Sequence, residues 1–399
     1  MRNGSWHAAV AAIFVCAWGG NQFTPLLVMY RDAGYSPLVV NALLGAYVLG
    51  LVPGLLTSGA LAARFGRRPV AVAGVLASML ASLLLATGAA GVGWIAAGRL
   101  VTGFGVAVAM AVGTTWVTEL SVRAGAPAAT GARRAALWMT LGFVFGAGVA
   151  GLLAQWGPAP MVSPYLVHAA LALAVLPLVW RAPETGGAGL RAGHGFSGLR
   201  HPRFRRVILP MAPWIFGSAG VAYAIMPQLV GDRVGEWGLL YATAITVATL
   251  AVGVLVQPFA KRLDRTTSAR AVVVSMSLVP AGLGVSILAA AVRSPVLAFA
   301  AALSLGCGYG IALVSGLLEL QRFADPGELA ALTGAYYALA YLGFLLPSLL
   351  SLLEPLAGYP VLLGGLVVVA LTGTAVIARH SRSYLPITEP ADRQLVRTG

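Results

Sequence analysis

Three observations predict an all-α membrane protein, with twelve transmembrane helices in two pseudo-symmetric six-helix halves. The chain is 59% hydrophobic and only 10% charged, whereas water-soluble domains run near 25% charged. Its 12 acidic and 26 basic residues fall in short clusters between long apolar runs. Short motifs of the first half return in the second at an offset of about 200 residues.

A helix crosses roughly 30 Å of hydrocarbon with about 20 apolar residues. Stretches free of Asp, Glu, Lys and Arg cover 3–30, 33–63, 69–98, 100–118, 135–180, 207–231, 237–260, 271–292, 294–318, 329–353 and 355–378. The run 135–180 is too long for one helix and is interrupted by Gly157-Pro158-Ala159-Pro160 and Pro164, so it holds two spans. Inside hydrocarbon every backbone amide needs an internal partner, and these runs lack the ten-residue alternation of barrel strands. The first run follows Arg2 as a signal peptide would, but it continues past Trp18-Gly19-Gly20 to Met29 without a clear cleavage site. It is expected to stay as span 1.

Basic residues orient the spans. With the N-terminus in the cytoplasm, 22 of the 26 lie on inside segments, and only Arg31, Arg233 and Arg293 lie outside. The remaining one, Arg99, falls near the start of span 4. This is the positive-inside pattern, and it predicts a multi-pass protein of the cytoplasmic membrane with both termini cytoplasmic. The net charge of +14 does not point to nucleic acid, because the basic residues are dispersed among spans instead of gathered on one wetted face. Cys16 and Cys307 both lie inside apolar runs, far apart, so they form neither a disulfide framework nor a metal site.

The longest interhelical segment separates six spans from six. The expected organisation is an N-terminal half over 1–180, a cytoplasmic linker over 181–206, a C-terminal half over 207–380 and a cytoplasmic tail over 381–399. Loop 2–3, Gly59 to Arg68, echoes loop 8–9, Gln257 to Arg265, which contains Lys261 and Arg262. Span 4 ends Thr118-Glu119-Leu120 with Arg123 after it, and span 10 ends Leu318-Glu319-Leu320 with Arg322 after it. Leu141-Gly142-Phe143 returns as Leu342-Gly343-Phe344. Duplicated halves enclose a cavity between them, the layout of rocking carriers.

On these residues the chain resembles the major facilitator superfamily over its whole length. Gly59, Leu61, Ala62, Arg64, Gly66, Arg67 and Arg68 match the family's Gly-x-Leu-Ala-Asp-Arg-x-Gly-Arg-Arg/Lys loop, but Ala63 stands at its acidic position. In the family that acid helps lock the cytoplasmic side in the outward-facing state. Arg99, Gly103 and Gly105 are similar to an Arg-x-x-x-Gly-x-Gly pattern of span 4, whose arginine is associated with proton movement. Gly142, Gly146 and Gly151 in span 5 resemble an exporter signature, with Ala147 in place of its proline. The resemblance implies secondary active transport of a small molecule, in the exporter case proton-linked efflux of an amphipathic or anionic organic compound. Import or uniport of a neutral solute such as a sugar or metabolite is the alternative. A non-transporting receptor or membrane enzyme would need a catalytic cluster or an appended soluble domain.

Candidate residues follow from polarity at depth. Arg99 is a charge inside a span; it either handles substrate or protons, or snorkels to the interface. Asn21 and Gln22 in span 1 need hydrogen-bond partners, on a neighbouring helix or at a cavity wall. Tyr223 and Gln228 in span 7 and Tyr336 and Tyr337 in span 11 carry the same two readings. Gly59, Arg64, Gly66, Arg67, Arg68 and Glu119, with Lys261, Arg262 and Glu319, are expected to form an inner gate, or else to be topology anchors and solvated acids. His7, His168, His194, His201 and His380 are scattered, and no phosphate-binding Gly-Lys-Ser/Thr loop is present. The expectation is therefore no enzyme activity, no cofactor and no metal. The partners are substrate, protons and the lipid bilayer, with a monomer as the functional unit.

Overall fold

A computed structural model describes residues 5–185, 197–325 and 328–385. Arg2, Arg191, His194, Arg393 and Arg397, the middle of the expected linker and the tail beyond 385 lie outside these residues. Among the described residues the chain is helical throughout, with one isolated bridge between Arg265 and Ser268.

Nine helices in the described residues are long and apolar enough to cross a membrane. Two of them, Phe204–Leu263 and Ala331–His380, are each a pair of spans. Gly235, at φ 52°, turns the first pair, and Gly358, at φ 66°, turns the second; glycine enters this left-handed region without a Cβ clash. Ser5–Asn21 completes twelve. Spans 2 to 6 are Pro37–Phe65, Arg67–Ala86, Val92–Arg123, Ala128–Trp156 and Ser163–Trp180. Spans 7 and 8 occupy 204–234 and 238–263, spans 9 and 10 are Arg270–Val292 and Pro295–Phe323, and spans 11 and 12 occupy 329–357 and 359–380. Spans 2 and 10 begin alike. Ser36 and Ser294 accept from the amides of Val39 and Leu297, and Pro37 and Pro295 fill the first helical position, where no amide is needed.

The outer faces carry exposed Leu49, Leu173, Trp180, Leu255 and Leu356. Such apolar surface suits hydrocarbon and would be a liability in water. Spans 1–6 and 7–12 form the two halves. They meet where span 5 packs on span 8 and where span 2 packs on the start of span 11. Loops 2–3, 4–5, 8–9 and 10–11 share one end of the bundle with most of the basic residues, here named the basic end; the other is the far end.

Helical regularity fails at four places between the halves. Span 1 stops at Asn21 and resumes at Leu27, because Pro25 supplies no amide to continue the ladder. Spans 4 and 7 widen into π turns at Ala109–Gly113 and Val221–Ile225, and span 11 tightens at Gly343–Leu345. Such interruptions free or re-aim backbone groups and are frequent at functional sites.

Candidate functional site

A cavity of about 620 Å³ lies between the halves. It runs from Arg133, Gln257 and Lys261 at the basic end down to Asn21, Thr24 and Arg99. Its walls come from the irregular segments just named, which bring in Gly20 and Asn21 of span 1, Met110 of span 4, Tyr223 of span 7 and Phe344 of span 11. Aromatic residues dominate the C-terminal wall. The ring of Phe216 stacks on those of Tyr341 and Phe344, with centroids 4.1 and 5.1 Å away.

Beyond the cavity floor the halves are tied together mostly by hydrogen bonds between uncharged groups. Asn41 of span 2 donates through Nδ2 to Ser351 Oγ of span 11 at 2.7 Å, and Ser348 Oγ donates to the Asn41 carbonyl at 2.8 Å. Gln228 accepts from Arg31 at 3.2 Å and donates to Tyr359 at 2.9 Å. Gln155 of span 5 donates to the Glu236 carbonyl at 3.2 Å and accepts from the Leu240 amide at 3.1 Å. The far end is closed.

Arg99 is 1% exposed and sits at the cavity floor. Its Nε, Nη2 and Nη1 donate to the carbonyls of Leu43, Leu44 and Gly20 at 3.2, 3.3 and 3.5 Å. Phe23 and Tyr47 cover its guanidinium, 4.6 and 4.9 Å from the ring centroids. Arg99 does not snorkel. It stitches spans 1, 2 and 4 at the span 1 break, where the interrupted ladder leaves the Gly20 carbonyl free to accept. No carboxylate pairs with it among the described residues.

Of the other expected cavity residues, Asn21, Tyr223 and Tyr337 line the space. Asn21 donates to the Phe143 carbonyl and accepts from Thr24. Gln22, Gln228 and Tyr336 stand elsewhere. Gln22 faces away from the cavity and donates to Ser82 Oγ at 2.8 Å. Ser82 continues to Nδ1 of the buried His168, whose Nε2 meets the Val15 carbonyl at 2.9 Å. A carbonyl cannot donate, so Nε2 carries a proton toward Val15. Gln228 belongs to the far-end closure, and the Tyr336 hydroxyl donates to the Leu313 carbonyl inside the C-terminal half.

At the basic end, the expected gate residues make their bonds within each half. Arg67 pairs with Glu119 at 3.2 Å, and Thr185 also donates to Glu119. The Glu184 carboxylate accepts from the amides of Arg67 and Arg68, which caps span 3 beside Gly66. Arg64 and Arg262 lie over the adjacent rings of Phe65 and Phe259, and a Cβ at Gly59 would meet nothing within 4 Å. In the C-terminal half, Glu319 is 1% exposed and bridges Arg203 at 2.6 Å and Arg322 at 2.5 Å; Arg322 also holds Asp264 at 2.6 Å. Lys261 lies at the cavity mouth.

Sequence reasoning passed over Asn41, Ser351 and Tyr359, which read as ordinary span polars, and Arg203, which read as a linker charge. Tyr309 and Phe216 gave no signal beyond aromaticity. The glycines that suggested an exporter have a packing explanation. A Cβ at Gly142 or Gly146 would run into the carbonyls of Phe14 and Trp18, and one at Gly151 would overlap Thr243. Span 5 needs them to lie against spans 1 and 8, so they do not support the exporter subtype. Gly103 likewise passes the Tyr47 carbonyl of span 2 too closely for a Cβ.

Residues 9–348 match the profile of the Major Facilitator Superfamily. Among solved structures, a mutant of the nucleoside transporter NupG superposes with a TM-score of 0.75 at 15% identity, covering 94% of this chain and 100% of that one. A D-xylose-proton symporter gives 0.71 at 14% identity, covering 96% and 98%. The inward-open xylose transporter XylE from E. coli gives 0.68 at 13% identity, covering 98% of each. No curated protein matches the sequence. At these identities the structures speak to fold.

Proposed function

The chain belongs to the Major Facilitator Superfamily, and from that premise we propose that it is a secondary carrier of a small amphipathic or anionic organic solute. The observation that supports this most is the asymmetry of the cavity, which reaches the basic end and is shut at the far end by Asn41, Gln228 and Ser351. With the basic end in the cytoplasm, as the positive-inside pattern has it, the structure corresponds to an inward-open state of the cytoplasmic-membrane protein. Rocking the halves about the span 5–span 8 and span 2–span 11 contacts would close the mouth and open the far end. The expected 1–180 and 207–380 units are the bodies that rock, and the carrier works as a monomer.

The direction of net transport rests on the energy source. Proton-linked efflux and import of a neutral metabolite share this architecture, and the span 5 glycines no longer favour efflux. Cations at the mouth favour an anionic cargo collected from the cytoplasm, which is the efflux reading. Purified protein in liposomes separates the two. Uptake of a candidate solute driven by an acid lumen supports proton antiport, the export reading, and uptake driven by an acid exterior supports proton symport, the import reading. Equal flux with the gradient collapsed would remove proton linkage.

A further inference from the structure

We propose that the cavity selects a planar aromatic or conjugated carboxylate. Its ring would lie on the Phe216–Phe344 wall and its anionic head would be held by the hydroxyls of Tyr223, Tyr309 and Tyr337. The proposal rests on the carrier reading of this cavity and specifies its cargo.

Charge fixes the sign. The lining contains Arg99, Arg133 and Lys261 and no Asp or Glu. None of the three cations makes an ion pair among the described residues. A cation entering this narrow, protein-walled space meets only like charge, at a lower dielectric than water. An anion meets a field of the favourable sign along the whole path.

Arg99 supplies field but not the grip. Three of its five N–H groups already donate to carbonyls, and the rings of Phe23 and Tyr47 lie against its guanidinium. Asn21 and Thr24 are also committed, to each other and to the Phe143 carbonyl. The tyrosines differ. Among the described residues the hydroxyls of Tyr223, Tyr309 and Tyr337 have no hydrogen-bond partner, although all three line the cavity. They come from spans 7, 10 and 11, and Tyr309 is within electrostatic range of the other two. In a cavity open at the basic end these hydroxyls are free to exchange water for a ligand. A phenol donating to a carboxylate makes a charge-assisted bond about twice as strong as a neutral one. Three unspent donors beside uncompensated positive charge suit a carboxylate.

Shape fixes the body of the ligand. Phe216 and Phe344 are nearly parallel, at 15°, and Tyr341 lies 19° from Phe216, so the three rings form a stack along the wall. Such a wall takes a flat ring in offset stacking. The volume of about 620 Å³ suits a drug-sized molecule and exceeds the need of a single sugar ring.

Isothermal titration of the purified protein in detergent tests this with 2-naphthoate, 2-naphthamide and 2-naphthylmethylammonium, with uridine and xylose as neutral polyols. Naphthoate is expected to bind about tenfold more tightly than naphthamide, and the ammonium not at all. The Tyr309→Phe, Tyr337→Phe double variant keeps both rings and should bind naphthoate about tenfold more weakly, with naphthamide unchanged. Phe216→Ala should weaken both. Equal affinity for naphthoate and naphthamide, parental naphthoate affinity in the tyrosine double variant, or binding of a neutral polyol alone would each overturn the proposal. Absence of naphthoate binding would overturn it as well. The carrier reading is judged apart from these outcomes, by electron-electron distance measurement between spin labels at Val92→Cys and Arg233→Cys across the far end. Two distance populations support it without any ligand, and one rigid population counts against it.

Discussion

Replacing Asn41 with Ala should shift the carrier toward its outward-open state. Asn41 Nδ2 donates to Ser351 Oγ at 2.7 Å across the two halves, and more weakly to Gln228 Oε1 at 3.4 Å. One neutral hydrogen bond contributes about 1 kcal/mol net. The second contact is long and adds little, while the unpartnered Asn41 Oδ1 is a small liability that the substitution removes. A net loss of about 1 kcal/mol remains, which is roughly a fivefold change in the inward-to-outward ratio. The backbone carbonyl still accepts from Ser348, so span 2 keeps its seat against span 11 and folding should be little affected. Spin labels at Val92→Cys and Arg233→Cys, in a background where Cys16 and Cys307 are Ala, report the far-end distance directly. The longer population should grow about fivefold relative to the parent, at equal detergent monodispersity. An unchanged distance distribution in well-folded Asn41→Ala would refute the assignment of this bond to the far-end latch.

Other perturbations have defined outcomes. Arg99→Lys should lose most flux, as should Arg99→Leu, because one ammonium cannot serve three carbonyls in different directions; parental flux in the lysine variant would reduce Arg99 to a generic charge. Glu319→Gln leaves the fully buried Arg203 without its counter-charge and should lower stability by about 3–5 kcal/mol, read as an earlier melting transition; an unshifted transition would show Arg203 to be held by the Ser381 and Ser383 carbonyls alone. Glu328 lies below the usual carboxylate range because Ser197 and the Gly198 amide donate to it. Its tie between the segment at 197 and span 11 is therefore fully present above the ordinary glutamate value and lost as pH falls through the lowered one. Protease nicking near Ser197 should rise at that acid limit and be pH-independent in Glu328→Gln; a parental profile in the variant would assign the transition elsewhere.

Much of the fold was legible because a bilayer leaves a chain few options. Charge-free runs had to be helices, and the Glu119/Glu319 and Leu141/Leu342 echoes revealed two halves. The candidate site was only half legible, for a physical reason. Polarity inside a span announces that a group needs a partner, and it does not say whether that partner is on a neighbouring helix or in the cavity. Asn21 and Gln22 are adjacent in sequence, yet the break after Asn21 turns one to the cavity and the other to Ser82. Asn41 resembled them and became a tie between halves. Arg203 lay in a segment that read as linker, so its pairing with Glu319 needed the three-dimensional structure.

The placement of charge suits the proposed rocking of the two halves as bodies. Glu319 with Arg203 and Arg322, and Glu119 with Arg67, each lie inside one half. Breaking the buried member of these sets would cost several kcal/mol, too much for a step repeated in every cycle. They hold each half rigid. Across the far end the ties among the described residues are nearly all between uncharged groups, Asn41 to Ser351, Ser348 to the Asn41 carbonyl and Gln155 to the turn at Glu236, with Arg31 to Gln228 the one charged donor among them. Each neutral tie is worth about 1 kcal/mol and exchanges for water when it opens. A latch of that strength lets a ligand with a few kcal/mol of differential affinity decide which end is open. Moving an ion pair into the far-end junction should then arrest the cycle: an Asn41→Asp, Ser351→Arg double variant is expected to bind solute from the cytoplasmic side and to transport none, while each single change leaves measurable flux. Normal flux in the double variant would mean that the far end does not open in the transport cycle.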